Sequence, residues 1–111
     1  MNIIYTKSYL KGLKKLNKHS KEIDNLRKII VFITNARDFN ELKYLPMVKI
    51  YNFERLKYKY NDLYSFNLCK NGGKIRLIIK PNSDNEVELY FLFISFDHYT
   101  DFDLERVIYD E

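Results

Sequence analysis

A chain of 111 residues that is 46% hydrophobic, with only three Gly and two Pro, reads as one globular domain over 1–111 and excludes a disordered or low-complexity protein. The single Cys69 excludes an internal disulfide and a cysteine-built zinc site; no apolar run reaches membrane-span length, and a lysine already stands at position 7, so the expectation is a cytoplasmic domain with no membrane segment. The net charge of +4 hides an asymmetry: residues 1–60 carry 14 Lys and Arg against 5 Asp and Glu, whereas residues 61–111 carry 5 against 10, so the first half attracts polyanions unless its lysines are simply solvated helix faces.

In chain order, IIY at 3–5 signals a short strand, and Thr6 caps a helix running to about Lys18 with Tyr9, Leu10, Leu13 and Leu16 on its apolar side. A second helix starts after Ser20, with Ile23, Leu26, Ile30 and Ile33 at helical spacing. Residues 35–55 show no clear period and include Pro46, so they read as a connection with at most one extended segment.

The remainder reads as strands. LYSFNLCK at 63–70 alternates, with Tyr64, Phe66 and Leu68 on one face and Ser65, Asn67 and Cys69 on the other. Asn71, Gly72 and Gly73 supply a hairpin turn, and KIRLIIK at 74–80 returns antiparallel. PNSDN makes the next turn, and the nearly continuous apolar run at 86–96 suits a central strand whose end delivers His98 to the rim of the sheet. Residues 101–111 form an acidic extension that includes a short C-terminal helix capped by Thr100. The fold class is α+β: two N-terminal helices packed on a twisted antiparallel sheet.

Three charged residues stand in or beside this strand-rich sequence. Arg76 interrupts Ile75, Leu77, Ile78 and Ile79, and demands either an anionic ligand or an acid across the hairpin such as Glu86 or Glu88. Glu54 by itself reads as a solvated glutamate, and His98 by itself as a strand-end residue.

Together, FERLK at 53–57, LYSF at 63–66, GGKIRLIIK at 72–80 and FDHY at 96–99 resemble the RelE/ParE toxin superfamily over most of the chain, nearest the YoeB-type endoribonucleases. The resemblance implies a RelE-like fold and a role for each residue. Glu54 falls on the general base, Arg76 on the arginine that stabilises the transition state, and His98 on the general acid. Lys57 and Tyr99 match positions that contact phosphate and place a base. It further implies mRNA on the ribosome as substrate, a protein antitoxin as partner, and no metal or cofactor; a homodimer and a monomer remain open. Two features depart from the family pattern. Asp62 stands where a Gly is usual, and the chain continues for an acidic stretch past Tyr99.

These residue types suit the implied chemistry. When the 2′-OH of RNA is the nucleophile, one group must take its proton and another must protonate the departing 5′-oxygen, and Glu and His fill those roles near neutral pH. Arginine offers fixed donors to the charge that grows on phosphorus. In the basic run KIYNFERLKYKY at 49–60, Lys49, Arg55, Lys57 and Lys59 can track phosphates. Tyr51, Tyr58 and Tyr60 either stack on unpaired bases or pack against the sheet. Two rival readings stand beside the nuclease: a ParE-like inhibitor of DNA gyrase, and a non-catalytic RNA- or protein-binding module on the same scaffold.

Overall fold

The computed structural model describes residues 1–57, 60, 62–70 and 72–96. The elements follow in the order β1 (Asn2–Tyr5), α1 (Lys7–Leu16), α2 (Ser20–Asn35), α3 (Phe39–Leu42), α4 (Met47–Ile50), β2 (Glu54–Arg55), β3 (Tyr64–Asn67), β4 (Arg76–Pro81) and β5 (Glu88–Ser95). The five strands form one sheet in the order β1-β5-β4-β3-β2. The α+β architecture is the one the sequence implies, with one refinement. β2, β3, β4 and β5 pair antiparallel, but β1 lies parallel to β5. A parallel neighbour requires a crossover, and everything between β1 and β5 supplies it.

Thr6 caps α1 as its position suggests: its Oγ1 accepts the Tyr9 amide at 3.1 Å while the hydroxyl donates toward the carbonyls of Leu92 at 2.8 Å and Phe91 at 3.0 Å. One side chain thus starts the helix and ties it to β5. Gly12 sets how closely the two elements approach, because a Cβ there would sit 2.9 Å from the Ile94 Cβ. Leu10, expected on the apolar side, is 47% exposed; the buried face of α1 runs through Tyr9, Gly12 and Leu16 instead.

Residues 35–55 hold more structure than their lack of period suggests. Asp38 caps the one-turn helix α3 by accepting the Glu41 amide at 2.8 Å, Pro46 opens α4, and β2 follows. One-turn helices are too short for a 3.6-residue pattern to show.

The main core lies between the helices and one face of the sheet. Tyr9, Leu16, Leu26, Ile29 and Ile33 pack there on Phe66, Leu77, Ile79, Phe91 and Ile94, joined by Leu42, Met47 and Tyr51 from the connection. The opposite face carries a small cluster of Leu63, Ile78 and Leu92, flanked by Leu56, Tyr60, Tyr90 and Phe93. β5 is an interior strand, flanked by β1 and β4, as its apolar run indicates.

Candidate active site

Cross-strand partners share a face of the sheet, so the register shows which residues meet. Glu54 pairs with Ser65, Ser65 with Ile78, and Ile78 with Phe93. One row further along, Asn67 pairs with Arg76 and Arg76 with Ser95. All of these residues belong to the face turned away from the helices, since Ile78 marks that face and Leu77 and Ile79 mark the other. Glu54 and Arg76 therefore share a surface, two strands and two residues apart, which strand spacing converts to a Cα separation of about 12 Å.

Within this surface Ser65, Asn67, Arg76 and Ser95 are all buried, Arg76 being 8% exposed. Arg76 Nη1 donates to the carbonyls of Gly73 and, at 3.4 Å, Ile75. Among the described residues no carboxylate pairs with it. The register gives the reason for Glu86 and Glu88: Arg76 faces Ser95 at one end of the β4–β5 ladder, while Glu88 lies beyond the opposite end, where Pro81 faces Leu89. Glu88 instead accepts a hydrogen bond from Asn82 Nδ2 at 3.0 Å. No side-chain nitrogen or oxygen among the described residues is buried without a partner.

A β-bulge aims this row. The β4–β5 register shifts between Ile78, opposite Phe93, and Ile79, opposite Phe91, which leaves Leu92 as the extra residue. Without that shift the apolar Ile94 would face Arg76; with it, the partner is Ser95.

The remaining expected site residues divide by position. Glu54, Arg55, Lys57 and Lys49 are exposed on β2, just after it and on α4, and Asp62 is exposed near the same strand. Tyr58, Lys59, His98, Tyr99 and the extension 101–111 lie outside the described residues. The last described residue, Phe96, follows Ser95 directly, and its ring lies 6.0 Å from that of His19, the other histidine of the chain. Tyr51 is no base-stacking residue. It is 2% exposed in the core and its hydroxyl donates to Asn25 Oδ1 at 3.4 Å. An amphipathic ring placed between short helices and the sheet gains more from burial than from solvent.

Sequence reasoning missed the buried polar residues that support the site. Asn25 on α2 donates from Nδ2 to the Leu68 carbonyl at 2.7 Å, tying the helix to the chain just after β3. Ser65 and Asn67 were legible only as the polar half of an alternating pattern, which ordinarily means solvent, and Ser95 only as part of a nearly continuous apolar run. Burial pushes the Cys69 thiol above its usual range, and the nearby Glu22 carboxylate acts in the same direction.

No protein-family model matches the sequence, and no curated protein does. Solved structures do. YafQ from E. coli strain BL21(DE3) is 20% identical with a TM-score of 0.61, covering 86% of this chain and 91% of its own. A copper-bound mutant toxin from Helicobacter pylori is 19% identical with a TM-score of 0.65, covering 92% and 99%. A YoeB/ParE toxin from Agrobacterium tumefaciens is 13% identical with a TM-score of 0.60, covering 86% and 98%. The chain has the fold of the RelE/YoeB-type toxins. YafQ is also seen in the E. coli DinJ–YafQ toxin–antitoxin complex, where the matching chain is 20% identical to this one with a TM-score of 0.63.

Proposed function

We propose that this protein is the toxin of a type II toxin–antitoxin pair and that it cleaves mRNA on the ribosome by attack of the RNA 2′-OH. The observation that carries the reading is the shared face of Glu54 and Arg76: an exposed carboxylate and a buried guanidinium with no carboxylate partner among the described residues, on the side of the sheet that the helices leave open. Glu54 takes the 2′-OH proton. Arg76 donates to the non-bridging oxygens as negative charge grows on them, an interaction stronger in the transition state than in the ground state. His98 protonates the 5′-oxygen as it leaves. Lys49, Arg55, Lys57 and Lys59 hold the phosphates of the strand, and Tyr58 and Tyr99 contact its bases. The antitoxin is a protein, by analogy with the DinJ–YafQ complex, and the working compartment is the cytoplasm.

The test uses ribosomes programmed with a short defined message. Cleavage should give an upstream fragment ending in a 2′,3′-cyclic phosphate or its hydrolysis product and a downstream fragment beginning with 5′-OH. A message with 2′-H at the cut site should bind and stay intact. Cleavage of that message at the normal rate would falsify the mechanism, and inhibition of gyrase without cleavage of any message would move the protein to the gyrase-inhibitor class.

A further inference from the structure

We infer that Gly73, packed against Cys69, is a positioning residue that sets where the Arg76 guanidinium lies; the catalytic consequence rests on the function proposed above.

The segment between β3 and β4 holds glycines for two different reasons. Gly72 has φ +77°, and a Cβ there would meet nothing within 4 Å, so it serves backbone conformation alone. Gly73 lacks a positive φ. A Cβ there would overlap the Cβ and Sγ of Cys69, so what excludes a side chain is the neighbouring residue. The carbonyl of this same Gly73 accepts from Arg76 Nη1. The other acceptor of Nη1, the Ile75 carbonyl at 3.4 Å, lies at the outer limit of a hydrogen bond and holds the group only weakly.

Cys69 cannot easily yield. Its amide donates to Asn67 Oδ1 at 2.9 Å, and its Sγ lies 3.6 Å from Glu22 Oε1 on α2. On one side of it, Leu68 donates to the Ile75 carbonyl at 3.0 Å and its own carbonyl accepts Asn25 Nδ2 at 2.7 Å; on the other, the Lys70 amide donates to the Asn67 carbonyl at 3.3 Å with Lys70 at φ +62°. Because Cys69 is held by these contacts, a side chain at position 73 must displace residue 73 itself, with its carbonyl. The guanidinium then loses its better acceptor and turns about its flexible stem.

The test replaces each side of the contact. Gly73→Ala should release Arg76, and Cys69→Gly/Gly73→Ala, which removes the atoms that the new methyl meets, should restore it. The first readout needs no RNA: in nitrogen-15 NMR of the arginine side chains, the Arg76 signal, assigned by its loss in Arg76→Lys, should show resolved Nη groups in the wild type. These should merge in Gly73→Ala and separate again in the double variant. The second is single-turnover cleavage at saturating ribosome. The rate constant should fall at least about 10-fold in Gly73→Ala with half-saturation little changed, and recover in the double variant. If Gly73→Ala does not fold, the double variant alone decides, because the inference requires it to fold with the wild-type Arg76 signal. Wild-type Nη signals and rate in Gly73→Ala would overturn the inference, as would a folded double variant that recovers neither. A wild-type chain that cleaves no RNA overturns the proposed function, and the NMR signals then judge the positioning alone.

Discussion

The two faces of the sheet are built for different ends. The face under the helices is apolar through Phe66, Leu77, Ile79, Phe91 and Ile94, and the polar groups buried on the helix side, Thr6 and Asn25, each satisfy a backbone group that would otherwise be left over. The opposite face has only Leu63, Ile78 and Leu92 as its apolar cluster, beside a buried row of Asn67, Arg76 and Ser95. Burying a guanidinium costs more than its two carbonyl contacts return, because desolvation of a charge is repaid fully only by an opposite charge. A fold selected for stability alone would fill that row with aliphatic side chains. The contrast therefore separates an apolar face that supplies stability from a face that buries a charge, and it can be attacked from either side.

The largest effect is expected on the helix face. Phe91→Ala removes a ring packed against both Tyr5 and Tyr9 at 5.5 and 5.2 Å, and should cost about 3–5 kcal/mol in a denaturant melt, enough to unfold much of the population of a small domain. A loss below about 1 kcal/mol would mean that the helix-side core is not the principal source of stability.

The opposite face should respond in the reverse sense. Arg76→Met ought to leave the denaturation midpoint unchanged or raise it, while single-turnover cleavage drops by at least about 100-fold, the usual consequence of removing a donor to a developing oxyanion. A folded-state stability that collapses with this change would make Arg76 a structural residue. Glu54→Gln and His98→Gln should also keep the fold and slow cleavage by about 100-fold or more, as expected when a general base or acid is removed. A wild-type rate in either variant would withdraw that residue from the mechanism.

A smaller effect is expected where α2 meets the segment after β3. Asn25→Ala leaves the Leu68 carbonyl without its side-chain donor and should cost about 1–3 kcal/mol, measured by thermal or denaturant melting. The smallest concerns Cys69. Its folded-state pKa is raised by burial, so the stability it contributes is fully present below the unfolded thiol value of about 8.5 and is lost as pH rises through the folded value. Wild type should accordingly lose slightly more stability than Cys69→Ala between neutral pH and alkaline pH, and parallel pH profiles for the two proteins would refute the shift.

Much of this protein was legible in its sequence because the signals are local. Thr6 announces the start of α1, the spacing of Leu26 and Ile33 announces α2, and the apolar run at 86–96 announces the interior strand β5, since each depends only on residues within a few turns or one strand length. Arg76 stood out because a charge within an aliphatic run is anomalous wherever the run is placed. What depends on residues far apart in the chain could be decided only by the tertiary structure. The parallel pairing of β1 with β5 joins positions more than eighty residues apart. The bulge at Leu92 determines whether Ser95 or Ile94 faces Arg76, and a shift of one residue exchanges the two faces. Gly73 reads in the sequence as one more turn glycine, yet its φ is ordinary; the requirement for glycine comes from Cys69, which the folded turn presses against it.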